Sequence, residues 1–151
     1  MESSRIIWNL HAFSTFALFG LIWTVQLLVY PQFRNVSAGS WELYHSFHMQ
    51  WITPVVGPLM LLEVGTIALL ILNGALSSGS WLAWVAGPLL IGMIWASTAL
   101  VSVPLHHELQ SGYSAETIDQ LVRTNWIRTL LWSLRAAWVA SVLFRSGAAH
   151  G

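Results

Sequence analysis

The chain has 151 residues, of which 56% are hydrophobic and 8% charged, with ten Trp, no Cys, and six Arg as its only Lys/Arg cations. Soluble domains carry roughly 25% charged residues, so a surface this poor in charge excludes an ordinary soluble globular domain, a disordered chain and a disulfide scaffold. A formal net charge of zero with no basic run argues against nucleic acid as a partner, and without Cys there is no thiol catalysis, zinc-finger spacing or iron–sulfur ligation. The mean hydropathy of +0.63 fits an integral membrane protein.

A helix needs about 20 mostly apolar residues to cross a hydrocarbon core roughly 30 Å thick. Four segments of the chain meet that length, over about 8–30, 54–73, 81–103 and 121–144. The first ends at Pro31, the second at Asn73-Gly74 and the third at Pro104, all ordinary helix stops. Pro54 suits a first helical turn, and Pro58 and Pro88 fall in the first turns of their spans, where a missing N–H costs little. Trp23, Trp41, Trp51, Trp81, Trp84, Trp126 and Trp138 lie near segment ends, as an aromatic belt places them. The first apolar run is too long for a secretory signal, and Gln26 and Tyr30 interrupt the cleavage region. No internal repeat or low-complexity tract divides the chain. The expected fold is all-α: one integral membrane four-helix bundle covering 1–151, with a short interfacial helix in the first loop.

The loops are unequal. Residues 73–80 form a short polar connection, whereas 31–53 and 104–120 hold His45, His48, His106, His107, several carboxylates and tyrosines. Four crossings put the two rich loops on one side of the membrane, and both termini with the short loop on the other. The arginine count is tied between the sides: Arg5 and Arg145 near the termini, Arg34 and Arg123 near the loops. Cytoplasmic termini are the expectation, because loop-side arginines can belong to a site.

The tract Trp41 to Trp51 is long enough for three helical turns, with Ser40 as a cap. His45 and His48, at i,i+3, share a face flanked by Trp41 and Tyr44. That spacing suits half a metal site, and equally an interfacial helix with His, Tyr and Trp at headgroup level. His106 and His107 point about 100° apart on a helix, so one of them faces a shared centre; His106, nearer the end of span three, is the expected one. Iron or copper held by His45, His48 and His106 is thus one reading, haem between loop-side histidines another. The bland alternative leaves them as surface histidines. Asn35-Val36-Ser37 matches a glycosylation sequon.

Glu63 lies about nine residues inside span two, roughly 13 Å deep at 1.5 Å per residue. An intramembrane carboxylate is costly unless paired, and marks a candidate site. Span four supplies a polar stripe of Asn125, Arg128, Trp132 and Arg135. Arg128 is roughly 10 Å and Arg135 roughly 21 Å deep, so Glu63 is expected to pair with one of them. Such a pair can simply hold a bundle together, but one acid against two arginines leaves a guanidinium for an anionic or carbonyl-bearing ligand. Gln26 and Tyr30, at i,i+4 near the end of span one, add polar groups on the same side. His11 near the opposite face and His150 in the tail read as background.

The tract from Gln26 to Phe33, then Tyr44 to His48, Pro58 to Glu63, Val103 to His106, and Asn125-Trp126-Ile127-Arg128-Thr129 with Trp132 and Arg135, resembles a group of bacterial four-helix membrane proteins. More distantly it is similar to the DUF1772 family, which includes the anthrone oxygenases. The resemblance runs through nearly the whole chain. It implies oxidation of a lipophilic aromatic or quinol-like molecule by dioxygen, in a class often regarded as needing no cofactor, and carries His106, Asn125, Trp126, Arg128, Trp132 and Arg135 into the site. His45, His48 and Glu63 belong less clearly to the distant family's pattern.

Three functions follow from these residues. The first is a membrane oxidoreductase whose substrate enters between helices, with Glu63, Arg128, Arg135 and Asn125 as catalytic groups and Gln26, Tyr30, Tyr44, Trp126 and Trp132 around the substrate. The second is a non-catalytic haem-, quinone- or pigment-binding subunit of a larger membrane complex. The third, a proton or anion carrier, ranks last because the polar groups crowd one half of the membrane. The expected partners are the lipid bilayer, a lipophilic small molecule and either further copies of the chain or a larger complex, and the expected location is a bacterial inner membrane.

Overall fold

The computed structural model describes residues 2–74 and 81–148, with backbone alone for 81–84 and 145–148. The expectations for the centre of the short loop, for the belt positions Trp81 and Trp84, and for the side chains of Arg145 and His150 lie outside what is described.

Four helical rods, each long and apolar enough to cross a membrane, run over Glu2–Asn35, Ala38–Leu72, Val85–Leu109 and Ala115–Phe144. Among the described residues there is no strand. Rod one consists of α1 (Glu2–Thr24), a π-helical turn at Val25–Val29, the short α2 (Tyr30–Gln32) and a 3-10 turn at Phe33–Asn35. A second 3-10 turn, Ala38–Ser40, leads into α3 (Trp41–Leu72), the body of rod two. Rod three joins α4 (Trp81–Ser97), a π turn at Thr98–Ser102 and α5 (Val103–Leu109); rod four is α6 (Ala115–Ala148). Rod one packs against rods two and four, and rod four against rod three, while the second and third rods touch only slightly.

Three boundaries differ from the sequence reading. The Trp41–Trp51 tract is helical, but it is not a separate interfacial helix: it continues unbroken into span two, so Pro54 and Pro58 sit inside α3. Pro31 and Pro104 do not stop their helices either. A proline ring collides with the carbonyl four residues back and offers no N–H. In both rods a π turn stands directly before the proline. Tyr30 N–H bonds to Val25 O, and Val103 N–H to Thr98 O, each five residues back. The widened turn lets the rod continue through the proline and carries it past the hydrocarbon. A 35-residue rod is about 50 Å long at 1.5 Å per residue, well beyond a core of roughly 30 Å.

The loop-side half has the larger core, in which Leu18, Ile22, Tyr30, Phe33, Trp41, Leu109, Leu121 and Trp132 are buried together. Large apolar side chains such as Leu27, Leu61, Leu100 and Phe144 point outward, the pattern of a bundle whose outer solvent is lipid.

Candidate intramembrane site

Tyr30 and His106, each following a π turn, meet edge-on across rods one and three. Tyr30 Oη lies 2.9 Å from His106 Nε2, and His106 Nδ1 lies 3.2 Å from His45 Nε2 on rod two. Arg128 on rod four donates from Nη2 to Tyr30 Oη at 3.0 Å and from Nε to Asn125 Oδ1 at 3.0 Å. Asn125 Nδ2 donates to Gln26 Oε1 at 2.8 Å, and Gln26 Nε2 to the carbonyl of Val122 at 3.2 Å. Gln26, Tyr30, His45, His106, Asn125 and Arg128 are all buried. One polar chain therefore joins all four rods.

The donor inventory orients that chain. A guanidinium can only donate, so Tyr30 Oη accepts from Arg128 and directs its own proton at His106 Nε2. A neutral His106 then carries its proton on Nδ1 and donates to His45 Nε2, which leaves the His45 proton on Nδ1. His45 is stacked on Trp41 with ring centroids 5.0 Å apart. The Trp41 indole is itself fixed by a 2.8 Å bond to the carbonyl of Leu109.

Beside this chain lies a cavity of about 340 Å³, walled mainly by apolar side chains such as Leu18, Ile22, Val56 and Met60. Tyr30, His106, Arg128 and Trp132 also line it and form its polar end. It opens between the second and third rods, past Leu61, Trp95 and Val103, all three exposed on the outer surface. The opening therefore faces lipid. Two groups at the polar end lack a partner suited to them. The ion pairs among the described residues are Arg34–Asp119 and Arg135–Glu63, so the Arg128 guanidinium is buried with neutral partners only. The indole N–H of Trp132 is buried with no acceptor. A buried cation without a counter-ion costs several kcal/mol, and both groups are suited to an oxygen brought in by a ligand.

Glu63 forms a second, deeper cluster. Its Oε1 lies 3.3 Å from Arg135 Nε and accepts from Thr15 Oγ1 at 2.8 Å. Arg135 Nη2 also reaches His11 Nε2, and His11 Nδ1 is 2.7 Å from Thr66 Oγ1. Thr66 gives its own proton to the carbonyl of Leu62 at 2.7 Å, so it accepts from His11, whose Nε2 is left to accept from Arg135. The guanidinium stacks 4.6 Å over Trp138. A Cβ on Gly87 would stand 3.1 Å from the Trp138 ring and 3.2 Å from Arg135 Nη1. Gly87→Ala is therefore expected to lower bundle stability by about 1–3 kcal/mol, read as the unfolding midpoint in detergent; Gly92→Ala, which meets nothing within 4 Å, should leave it unchanged.

The outcome for each expected residue is thus specific. The acid pairs with Arg135 rather than Arg128, and neither Glu63 nor Arg135 lines the cavity. The single pocket built on Glu63 and both arginines resolves into two clusters, because Glu63 turns its carboxylate toward rod one and Thr15. Tyr30 and Trp132 line the cavity as expected, while Gln26 and Asn125 stand behind it and hold Arg128. Trp126 and Tyr44 do not reach it. Trp126 is half-exposed and packs edge-on against Trp23, and Tyr44 packs on Phe33 at the surface. The three histidines cluster with ring centroids 5.5–6.4 Å apart, but their planes lie within about 25° of parallel. Among the described residues no three His, Cys, Asp or Glu side chains converge to hold a metal, since His106 already spends both nitrogens on Tyr30 and His45. His48 Nε2 is buried without a partner.

His11 corrects the sequence reading outright: it is fully buried and bonded on both ring nitrogens. Rod one begins at Glu2, so His11 lies about 13 Å inside it, level with Glu63, which stands nine residues from the same end of rod two. The i,i+4 pairing of His11 with Thr15 was the available signal. Trp95 and Val103, at the cavity mouth, carried none.

No family model, curated protein or solved structure matches the chain.

Proposed function

We propose that the chain is a membrane oxidoreductase whose substrate is a lipophilic phenol-, enol- or quinol-like aromatic molecule. The observation that carries this reading is a buried guanidinium, Arg128, held by neutral groups at the polar end of an apolar cavity that opens toward lipid. A volume of about 340 Å³ falls within the 300–1,000 Å³ usual for small-molecule sites. The substrate partitions into the bilayer, enters past Leu61 and Trp95, and sets its oxygen against Arg128 and the free N–H of Trp132. As that oxygen loses its proton, negative charge develops beside a fixed cation in a water-poor site, where such stabilisation is large. The resulting phenolate or enolate is the electron-rich form that an oxidant attacks. With a quinol and dioxygen the reaction balances as two electrons passing to dioxygen, while the two hydroxyl protons are released and two protons are taken up from water by the reduced oxygen, giving the quinone and hydrogen peroxide. The reading places the protein in a bacterial inner membrane with cytoplasmic termini.

The second reading is a subunit that binds a quinone without turning it over, favoured by the two donors, Arg128 and Trp132, that equally suit a carbonyl. Oxygen uptake by the purified protein with 1,4-naphthohydroquinone and with anthrone separates the two. Uptake above the no-protein rate is expected, and Trp132→Phe should weaken substrate affinity about fivefold for one lost hydrogen bond. Saturable binding with no uptake selects the binding subunit. The absence of both binding and uptake overturns the cavity reading.

A further inference from the structure

The chain Arg128–Tyr30–His106–His45 does more than hold a substrate oxygen, because it has two ends. Its inner end, Tyr30 and His106, lines the apolar cavity. At its outer end His45 lines a different space, a cleft of about 540 Å³ whose wall includes Glu42, Ser46, Gln50 and Gln110. Those four are exposed side chains at the loop-side end of the bundle. Between the two spaces the bonds are 2.9 and 3.2 Å, within range for proton transfer. Resting on the function proposed above, we propose that Tyr30, His106 and His45 form a proton path that carries the proton of the substrate hydroxyl out of the cavity to the loop-side cleft.

The step balances without any change of oxidation state. The substrate O–H bond breaks and its proton bonds to Tyr30 Oη. The Tyr30 proton moves to His106 Nε2, the His106 Nδ1 proton to His45 Nε2, and the His45 Nδ1 proton leaves into the cleft. One proton enters and one exits. Arg128 sets the direction: it occupies an acceptor site on Tyr30 and cannot itself accept a proton. It also holds the phenolate left behind. The packing guards the path. Phe33 meets His45 and His106 edge-on, and the Trp41 ring covers the opposite side of His45. Of the other ionisable groups around the path, Tyr44 packs edge-on against Phe33, and Tyr113 packs edge-on against Trp41 and donates to the carbonyl of Arg34. Glu42 stands at the cleft, Glu108 is held by Thr117, Arg34 pairs with Asp119 at the surface, and His48 faces Tyr30 edge-on without a bond to the path.

The test uses a 4-nitrophenol with a short alkyl chain, whose yellow colour reports ionisation. It is bound to the detergent-solubilised protein at low pH and jumped to high pH. In the wild type, bound nitrophenol is expected to ionise faster than it dissociates. His45→Phe keeps the ring stacked on Trp41 but breaks the path, and should slow ionisation about a hundredfold with affinity changed less than twofold. Imidazole added to the medium should restore the rate of His45→Ala, where it can occupy the space the missing ring leaves next to His106, but not that of His45→Phe, whose ring fills that space. Tyr30→Phe breaks the path at the inner end and should be slow without imidazole rescue, whereas His107→Ala, an exposed neighbour off the path, should behave as wild type. Ionisation of His45→Phe at the wild-type rate overturns the path while leaving the cavity reading intact. Failure of nitrophenol to bind the wild type overturns both.

Discussion

Glu63→Gln is expected to cost the bundle about 3–5 kcal/mol, the penalty for leaving one member of a buried ion pair uncompensated. The reason lies in where Arg135 sits. Its side chain is fully buried, and its Nε and Nη1 have no hydrogen-bond partner. Its contacts are the 3.3 Å approach to Glu63, the bond to the neutral ring of His11 and the face of Trp138. Without the carboxylate, a cation remains in the interior opposite a histidine whose unprotonated Nε2 is its one remaining hydrogen-bond acceptor. The unfolding midpoint in detergent reads the loss directly. The double variant Glu63→Gln with Arg135→Met removes both charges and should recover most of it, since replacing a buried pair by apolar groups is often neutral. A single variant as stable as the wild type would mean that the pair does not brace the bundle. The same experiment decides what Glu63 is for. Because it stands outside the cavity, the folded fraction of Glu63→Gln should bind nitrophenol with unchanged affinity, whereas a catalytic Glu63 would lose turnover without losing stability.

Much of this architecture was legible from residue spacing. Four apolar runs and an even number of crossings place His45 and His106 at one end of the bundle, and they lie within hydrogen-bond distance. The stripe Asn125, Arg128, Trp132, Arg135 forms one face of α6 that rod one meets twice: through Gln26 and Tyr30 at the level of Asn125 and Arg128, and through His11 at the level of Arg135. What spacing could not supply was depth. Reading Pro31 and Pro104 as helix ends sets rods one and three short on the loop side, and starting span one near residue 8 rather than at Glu2 puts His11 at the membrane face. The signal that a helix survives its proline is a single residue inserted into the preceding turn, and a π turn has no composition of its own: Val25–Val29 and Thr98–Ser102 read as ordinary apolar helix. Side-chain direction was the second gap. Trp126 adjoins Asn125 in sequence and faces outward, because neighbours on a helix point about 100° apart.

Arg128 shows the opposite balance to Glu63, and that contrast is the sharpest test of the proposed site. Arg128→Leu is expected to lower affinity for a phenol or quinol by roughly 10–150-fold, since hydrogen bonds to charged groups contribute about 1.5–3 kcal/mol. Turnover should fall further, by about 10²–10³, because charge on the substrate oxygen is fully developed only as its proton leaves. Stability should move by no more than about 1 kcal/mol. The variant loses the charge-assisted bonds to Asn125 and Tyr30, worth about 1.5–3 kcal/mol each, but it also relieves the burial of a cation that has no carboxylate partner, which costs several kcal/mol, so the two largely offset. A residue that weakens the resting protein and strengthens the reacting complex is the usual mark of a functional group held against the preference of the fold. Arg128→Lys should restore only part of the activity, because an ammonium cannot reproduce the planar fork that bonds Asn125 and Tyr30 together. The checks are nitrophenol titration, oxygen uptake with naphthohydroquinone and the unfolding midpoint, measured on one preparation. A large fall in the midpoint with affinity retained would make Arg128 a brace like Arg135, and the cavity would lose the group on which its chemistry depends.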